Sequence, residues 1–165
     1  MTTPAKPIEM PYLVDDVKLR QLIEQSAAAP RKRSHLLMHS GPDDQVQRML
    51  IAAQPGTYGR PHRHSRQWEM LVLQRGRMDI LTFKDDGEVL SRNTLDQTAP
   101  VVQIPVSEWH TCIVREPDTV VVEIKPGPYR ANEFAQWAPE EGHERAAELL
   151  RRTAFAKLGQ KWQPA

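Results

Sequence analysis

Cysteine is nearly missing from this chain: Cys112 is the only one in 165 residues. That excludes an intrachain disulfide framework and fits a reducing compartment. No apolar run approaches the length of a membrane-spanning helix, and the mean hydropathy is −0.58. An excess of one charge is lacking too. Lys and Arg total 22 against 21 Asp and Glu, for a formal net charge of +1. Both signs are spread along the chain, which leaves no electrostatic case for nucleic acid or an anionic membrane. The opening stretch, MTTPAKPIEMPYLVDD, has no apolar h-region of a signal peptide, so the cytoplasm is the expected location. Repeats and low-complexity tracts are absent. What remains fits one domain with one sizeable core.

Residues 1–13 carry three prolines and little periodicity, and they read as an extended arm. From Asp15 or Asp16, the residues Val17, Leu19, Leu22, Ile23 and Ala27 line one helical face, with an aspartate N-cap and a stop at Pro30. After RKRSHLLMHSGPDD, whose conformation the pattern leaves open, QVQRMLIAAQ alternates as a strand and ends at Pro55-Gly56. Short strand-like runs then follow at close intervals: WEMLVLQ, RMDILTF, EVLSRNTL, PVVQIPVSEWHTCIVRE and VVVEIKPGPY. Turn signals separate them and no helix intervenes, which predicts an all-β sandwich or barrel. The tail APEEGHERAAELLRRTAFAKL is rich in Ala, Leu, Glu and Arg and predicts a terminal helix. EMLVL and VVV are apolar on both faces and need an outer cover, either from the terminal helices or from a second subunit as a homodimer.

The chemistry concentrates in GTYGRPHRHSRQWEMLVLQRG, residues 56–76. Residues two apart on a strand share a face, so His62 and His64 aim the same way. Glu69 is an odd five residues beyond His64, and the polar SRQ between them predicts a reversal that sets Glu69 on a neighbouring antiparallel strand. His110, from a distant strand, comes alongside in the same geometry. Three imidazoles and a carboxylate converging in a barrel suit one divalent transition metal.

The spacing Gly56-x5-His62-x-His64-x4-Glu69-x6-Gly76 resembles the first cupin motif at every defined position. Pro105 and His110 match part of the second, with Ser107 where a glycine is usual and Val114 where an asparagine is usual. VQRMLIAAQPGTYGRPHRH, IPVSEWHT, EIKPGPY and FAQWAPEEG further resemble the WbuC family of cupin-fold metalloproteins, across roughly residues 31–142. This resemblance implies a small cupin-type jelly-roll β-barrel. With the N- and C-terminal helices read from the pattern, the expected division is a barrel with its first helix over 14–138 and a helical tail over 139–165. The resemblance also implies metal ligands at His62, His64, Glu69 and His110 and a link to polysaccharide biosynthesis.

Around the metal, Tyr58 and Arg60 share strand parity with His62, and Arg48 is a further candidate from the neighbouring strand; all three are substrate-binding candidates. Leu71, Leu73, Cys112 and Val114 are expected to make an apolar cavity floor, with Cys112 a small buried hydrophobe rather than a nucleophile. Glu123 and Lys125 share a face and either reach the pocket or form an exposed ion pair, the exposed pair being slightly favoured; Arg31–Arg33 read as an exposed charge run, and His35, His39 and His143 as non-ligands. Four protein ligands on six-coordinate Fe, Mn or Ni would leave two positions for a small polar molecule, sugar-like or a carboxylate, which predicts a metal-dependent enzyme. The alternatives are a non-catalytic binding or sensing module and a structural site, which closed four-coordinate Zn would favour. No separate general base is evident.

Overall fold

A computed structural model describes residues 12–162. Most of the expected arm, residues 1–11, therefore lies outside the described residues. The first helix, α1 (Asp16–Ala28), begins where Asp15 is extended and its carboxylate accepts the N–H of Lys18 at 2.9 Å. That side chain satisfies one of the helix's free N–H groups. Ten strands follow in chain order: β1 (Arg33–Leu37), β2 (Val46–Ala53), β3 (His62–Arg63), β4 (Glu69–Arg75), β5 (Met78–Phe83), β6 (Val89–Leu95), β7 (Val101–Ile104), β8 (Trp109–Val114), β9 (Thr119–Pro126) and β10 (Glu133–Phe134). The last helix is α2 (Ala146–Phe155). It is shorter than the tail's composition predicts, because Pro139 and Gly142 interrupt the run and residues 141–145 form turns.

The strands form two five-stranded antiparallel sheets, ordered β1-β2-β9-β4-β7 and β10-β3-β8-β5-β6. Their inner faces enclose a core that includes Leu71, Leu73, Ile80, Ile104, Val114 and Val121. The outer faces are covered by the helices. Leu22 and Ile23 of α1 pack on Leu50, Ala52 and Val120 of the first sheet. On the second sheet, Leu150 and Ala154 of α2 pack near Leu81, Phe83 and Ile113. The doubly apolar VVV segment of β9 thus finds its cover within the chain. No helix among the described residues is long and apolar enough to cross a membrane.

Charged groups fasten α2 in place. Asp79 on β5 is 4% exposed and accepts hydrogen bonds from Arg92, Arg115 and Thr94. The same guanidiniums donate to the carbonyls of Thr153, Ala154 and Ala156 at the helix C-terminus, where cations are favoured.

Candidate metal centre

His62 and His110 are directly paired across β3 and β8. His64 lies one residue past β3, and Glu69 opens β4 in the facing sheet. The expected reversal between His64 and Glu69 is present, but it carries the chain to the opposite sheet rather than to a paired neighbour. The carboxylate therefore meets the imidazoles across the sandwich. One donor atom from each of His62, His64, Glu69 and His110 falls in a group whose members all lie within 4.8 Å of one another. The three ring centroids are 4.4–5.6 Å apart.

Backbone carbonyls orient two of the rings. Nδ1 of His62 is 2.9 Å from the Arg60 carbonyl, and Nδ1 of His110 is 2.9 Å from the Glu108 carbonyl. A carbonyl only accepts, so each Nδ1 carries the proton and each Nε2 keeps its lone pair, as a metal-binding imidazole requires. Nε2 of His110 is buried without a hydrogen-bond partner and lies 3.9 Å from Glu69 Oε1. His64 donates from Nε2 to Glu69 Oε2 at 2.7 Å.

Burial, followed by the neighbouring His110, pushes His62 down to about 3; burial also lowers His110. Burial alone would raise Glu69, but the hydrogen bond from His64 and the nearby imidazoles hold its carboxyl below the ordinary range. Neutral imidazoles and an ionised carboxylate are the protonation states that a cation would select.

Ser107 takes the left-handed backbone (φ 65°) at the position where the second motif usually has glycine. Its N–H donates to the His64 carbonyl at 2.9 Å, so the turn before β8 is tied to the segment carrying His64. Val114, in place of the usual asparagine, is buried in the core.

The cluster adjoins a cavity of about 590 Å³, and His62 and Glu69 stand in its wall. Leu71, Cys112 and Val114 line it as expected, whereas Leu73 packs in the core behind. Burial pushes the Cys112 thiol far up, so it serves as a packing group.

The pocket candidates divide. Arg60 lines the cavity, while its guanidinium donates to the carbonyls of Ala138 and Ala135. Tyr58 is not in the wall: its hydroxyl donates to the Pro139 carbonyl, and its ring packs beside Ala135, Leu149 and Trp162. Arg48 is on the wrong face. In β2 the residues Ile51 and Ala53 face the cavity, so Arg48 shares the opposite face with Leu50 and Ala52 and approaches Asp44 at 3.8 Å.

Two charge readings are also corrected. Arg33 is not part of an exposed run. It lines the cavity with its side chain 15% exposed, and it pairs with Glu141 at 2.8 Å. Glu123 and Lys125 are not at the surface either. Their side chains are 12% and 9% exposed, pair at 2.8 Å and line the cavity. Burial and then Glu69 raise the Glu123 carboxyl; burial would lower Lys125, but Glu123 and Glu69 outweigh it and keep it an ammonium. Strand parity placed the two residues on one face and could not say that the face was interior.

A family described as a domain of unknown function, DUF6016, matches residues 14–95. No curated protein sequence matches the chain. Solved structures do. An oxalate oxidase in complex with the substrate analogue glycolate superposes with a TM-score of 0.53 at 14% identity, over 66% of this chain and 57% of its own. The capsular polysaccharide assembling protein CapF from Staphylococcus aureus gives 0.52 at 20% identity, over 61% and 29%. Oxalate decarboxylase from Lactobacillus farciminis, in a formate complex, gives 0.50 at 13%, over 62% and 31%. The chain has a cupin fold. The chain spans less than two thirds of each of those three proteins, and at such identities the likeness shows architecture alone.

Proposed function

We propose that this cupin binds one divalent first-row transition metal ion, Fe, Mn, Ni or Zn, through His62, His64, Glu69 and His110, and acts on a small polar molecule in the adjoining cavity. One observation carries the reading: three imidazoles and a carboxylate converge within 4.8 Å at the wall of a cavity of about 590 Å³. That volume is in the range of small-molecule sites. The donor set fits such an ion. Nitrogen and oxygen donors are mixed, two rings present lone pairs fixed by backbone carbonyls, and His110 Nε2 has no protein partner.

Once bound, the ion would supply Lewis-acid or redox chemistry to a ligand beside it. The chain's own residues hold the donors in place, limit bulk water with the apolar wall of Leu71, Val114 and Val121, and set Arg33 and Arg60 in the cavity lining. Access through the cavity favours action on a ligand over a purely structural ion. The resemblance to the WbuC family supports a link to polysaccharide biosynthesis.

The experiment is elemental analysis of the purified chain and of His62→Ala, His64→Ala and His110→Ala, with folding checked by circular dichroism. Near-stoichiometric metal in the parent and strong loss in each variant is expected. Full occupancy in the folded His62→Ala and His64→Ala variants would refute the site.

A further inference from the structure

Glu123 and Lys125 present an unusual surface to the cavity. Both are on β9, on the inner face, and Glu123 is the Cα partner of Leu71, two residues along β4 from Glu69. Their mutual 2.8 Å contact is the one short polar contact of either side chain among the described residues. An ammonium has three donors and a carboxylate about four acceptor positions, so most of this capacity is unspent on the wall of a cavity. The pair is not a metal donor set: one of its two groups is a cation.

Resting on the metal-cupin reading, we infer that Glu123 and Lys125 form a second contact site, which takes two hydroxyls on adjacent carbons of a neutral polyol and disfavours small carboxylates. A hydroxyl both donates and accepts. One hydroxyl donates to the Glu123 carboxylate while its neighbour accepts from the Lys125 ammonium, and two such oxygens are separated by about the length of the ion pair itself. A carboxylate ligand only accepts. It competes with Glu123 for Lys125 and sets its own charge against the Glu123 carboxylate, with Glu69 on the adjacent strand. Ile51, Leu71 and Val121 on the same wall offer the apolar surface on which the C–H face of a polyol packs. A ligand touching the pair and the ion at once is therefore oxygenated along one edge and apolar along the other.

The test uses the full chain loaded with Mn(II), ligand-observed NMR relaxation, and two probes: D-xylose and glycolate. Xylose should bind the parent about tenfold more tightly than glycolate. Glu123→Gln should narrow that ratio by favouring glycolate, and Lys125→Met should weaken xylose about tenfold. Manganese content should stay at the parental value in Glu123→Gln, with the fold retained by circular dichroism. Glycolate binding at least as tight as xylose in the parent overturns the inference, as does an unchanged ratio in Glu123→Gln. Should Lys125→Met fail to fold, the parent and Glu123→Gln decide. Absence of bound manganese in the parent refutes the metal site instead, so the two failures are distinguishable.

Discussion

Replacing Asp79 with alanine should be among the most damaging single changes outside the cavity. The carboxylate is 4% exposed and is the common partner of Arg92 and Arg115, each at 2.6 Å, while Thr94 donates to its other oxygen. Removing one member of a buried charge network leaves the other members uncompensated, at about 3–5 kcal/mol. The two guanidinium side chains are 23% exposed and keep their bonds to the α2 carbonyls. Solvent therefore offsets part of the loss, and the low end, about 3 kcal/mol, is expected. For a chain of this size that corresponds to a melting temperature lower by about 6–12 °C. Burial works to raise the Asp79 pKa, but Thr94, Arg115 and Arg92 outweigh it and hold it below its ordinary value. A lowered folded-state pKa contributes stability that is complete above the unfolded value, near pH 4, and disappears as pH falls through the folded one. Urea denaturation should show the loss at pH 7, and Asp79→Asn should flatten the acid limb of stability. A change under about 1 kcal/mol in Asp79→Ala at pH 7, with an unchanged denaturant slope, would refute the latch.

Two further outcomes follow from the site and its frame. Metal should resist acid: the donors must be unprotonated to hold an ion, and burial with His110 brings His62 down to about 3. Dialysis in pH steps should give a release midpoint below about 5, and a midpoint at the ordinary histidine value near 6.5 would show that the folded site does not protect its imidazoles. Gly76→Ala should cost about 2–4 kcal/mol, because φ is +81° and the added Cβ would sit 2.3 Å from Thr119 Oγ1 and 2.8 Å from Thr119 Cα. An unaltered urea midpoint would mean that the β4–β5 turn relaxes freely.

The clustering of His62, His64 and Glu69 was legible because their spacing is local: parity sets the two histidines on one side, and the polar SRQ marks the reversal before Glu69. His110 rested on the partial second motif. The all-β class was legible from turn signals at short intervals. What the sequence hid has one physical origin: alternation divides a strand into two faces without saying which is inside. Arg48 was a candidate because it lies on the neighbouring strand, and it points away from the cavity, whereas Arg33, Glu123 and Lys125 looked solvated and line it. The latch at Asp79 was invisible for a related reason. It joins strands β5, β6 and the segment after β8 to a helix more than sixty residues from Asp79, and no local pattern encodes that meeting.

The division of donors between the sheets says how the fold and the site depend on each other. Glu69 belongs to one sheet, and His62 and His110 to the other. Their separation is therefore set by the packing that holds the sheets together, through Leu71 and Val121 on one side and Ile80 and Val114 on the other. The same strands contribute to both: Glu69 precedes Leu71 by two residues on β4, and His110 precedes Val114 by four on β8. A side chain two or four residues along a strand lies on the same face, so the residues that fix the gap and those that bridge it are in register by construction. An ion shared by those donors would join the sheets at the place where the apolar core gives way to the cavity, and stabilisation of the folded chain by metal is the thermodynamic counterpart of that geometry.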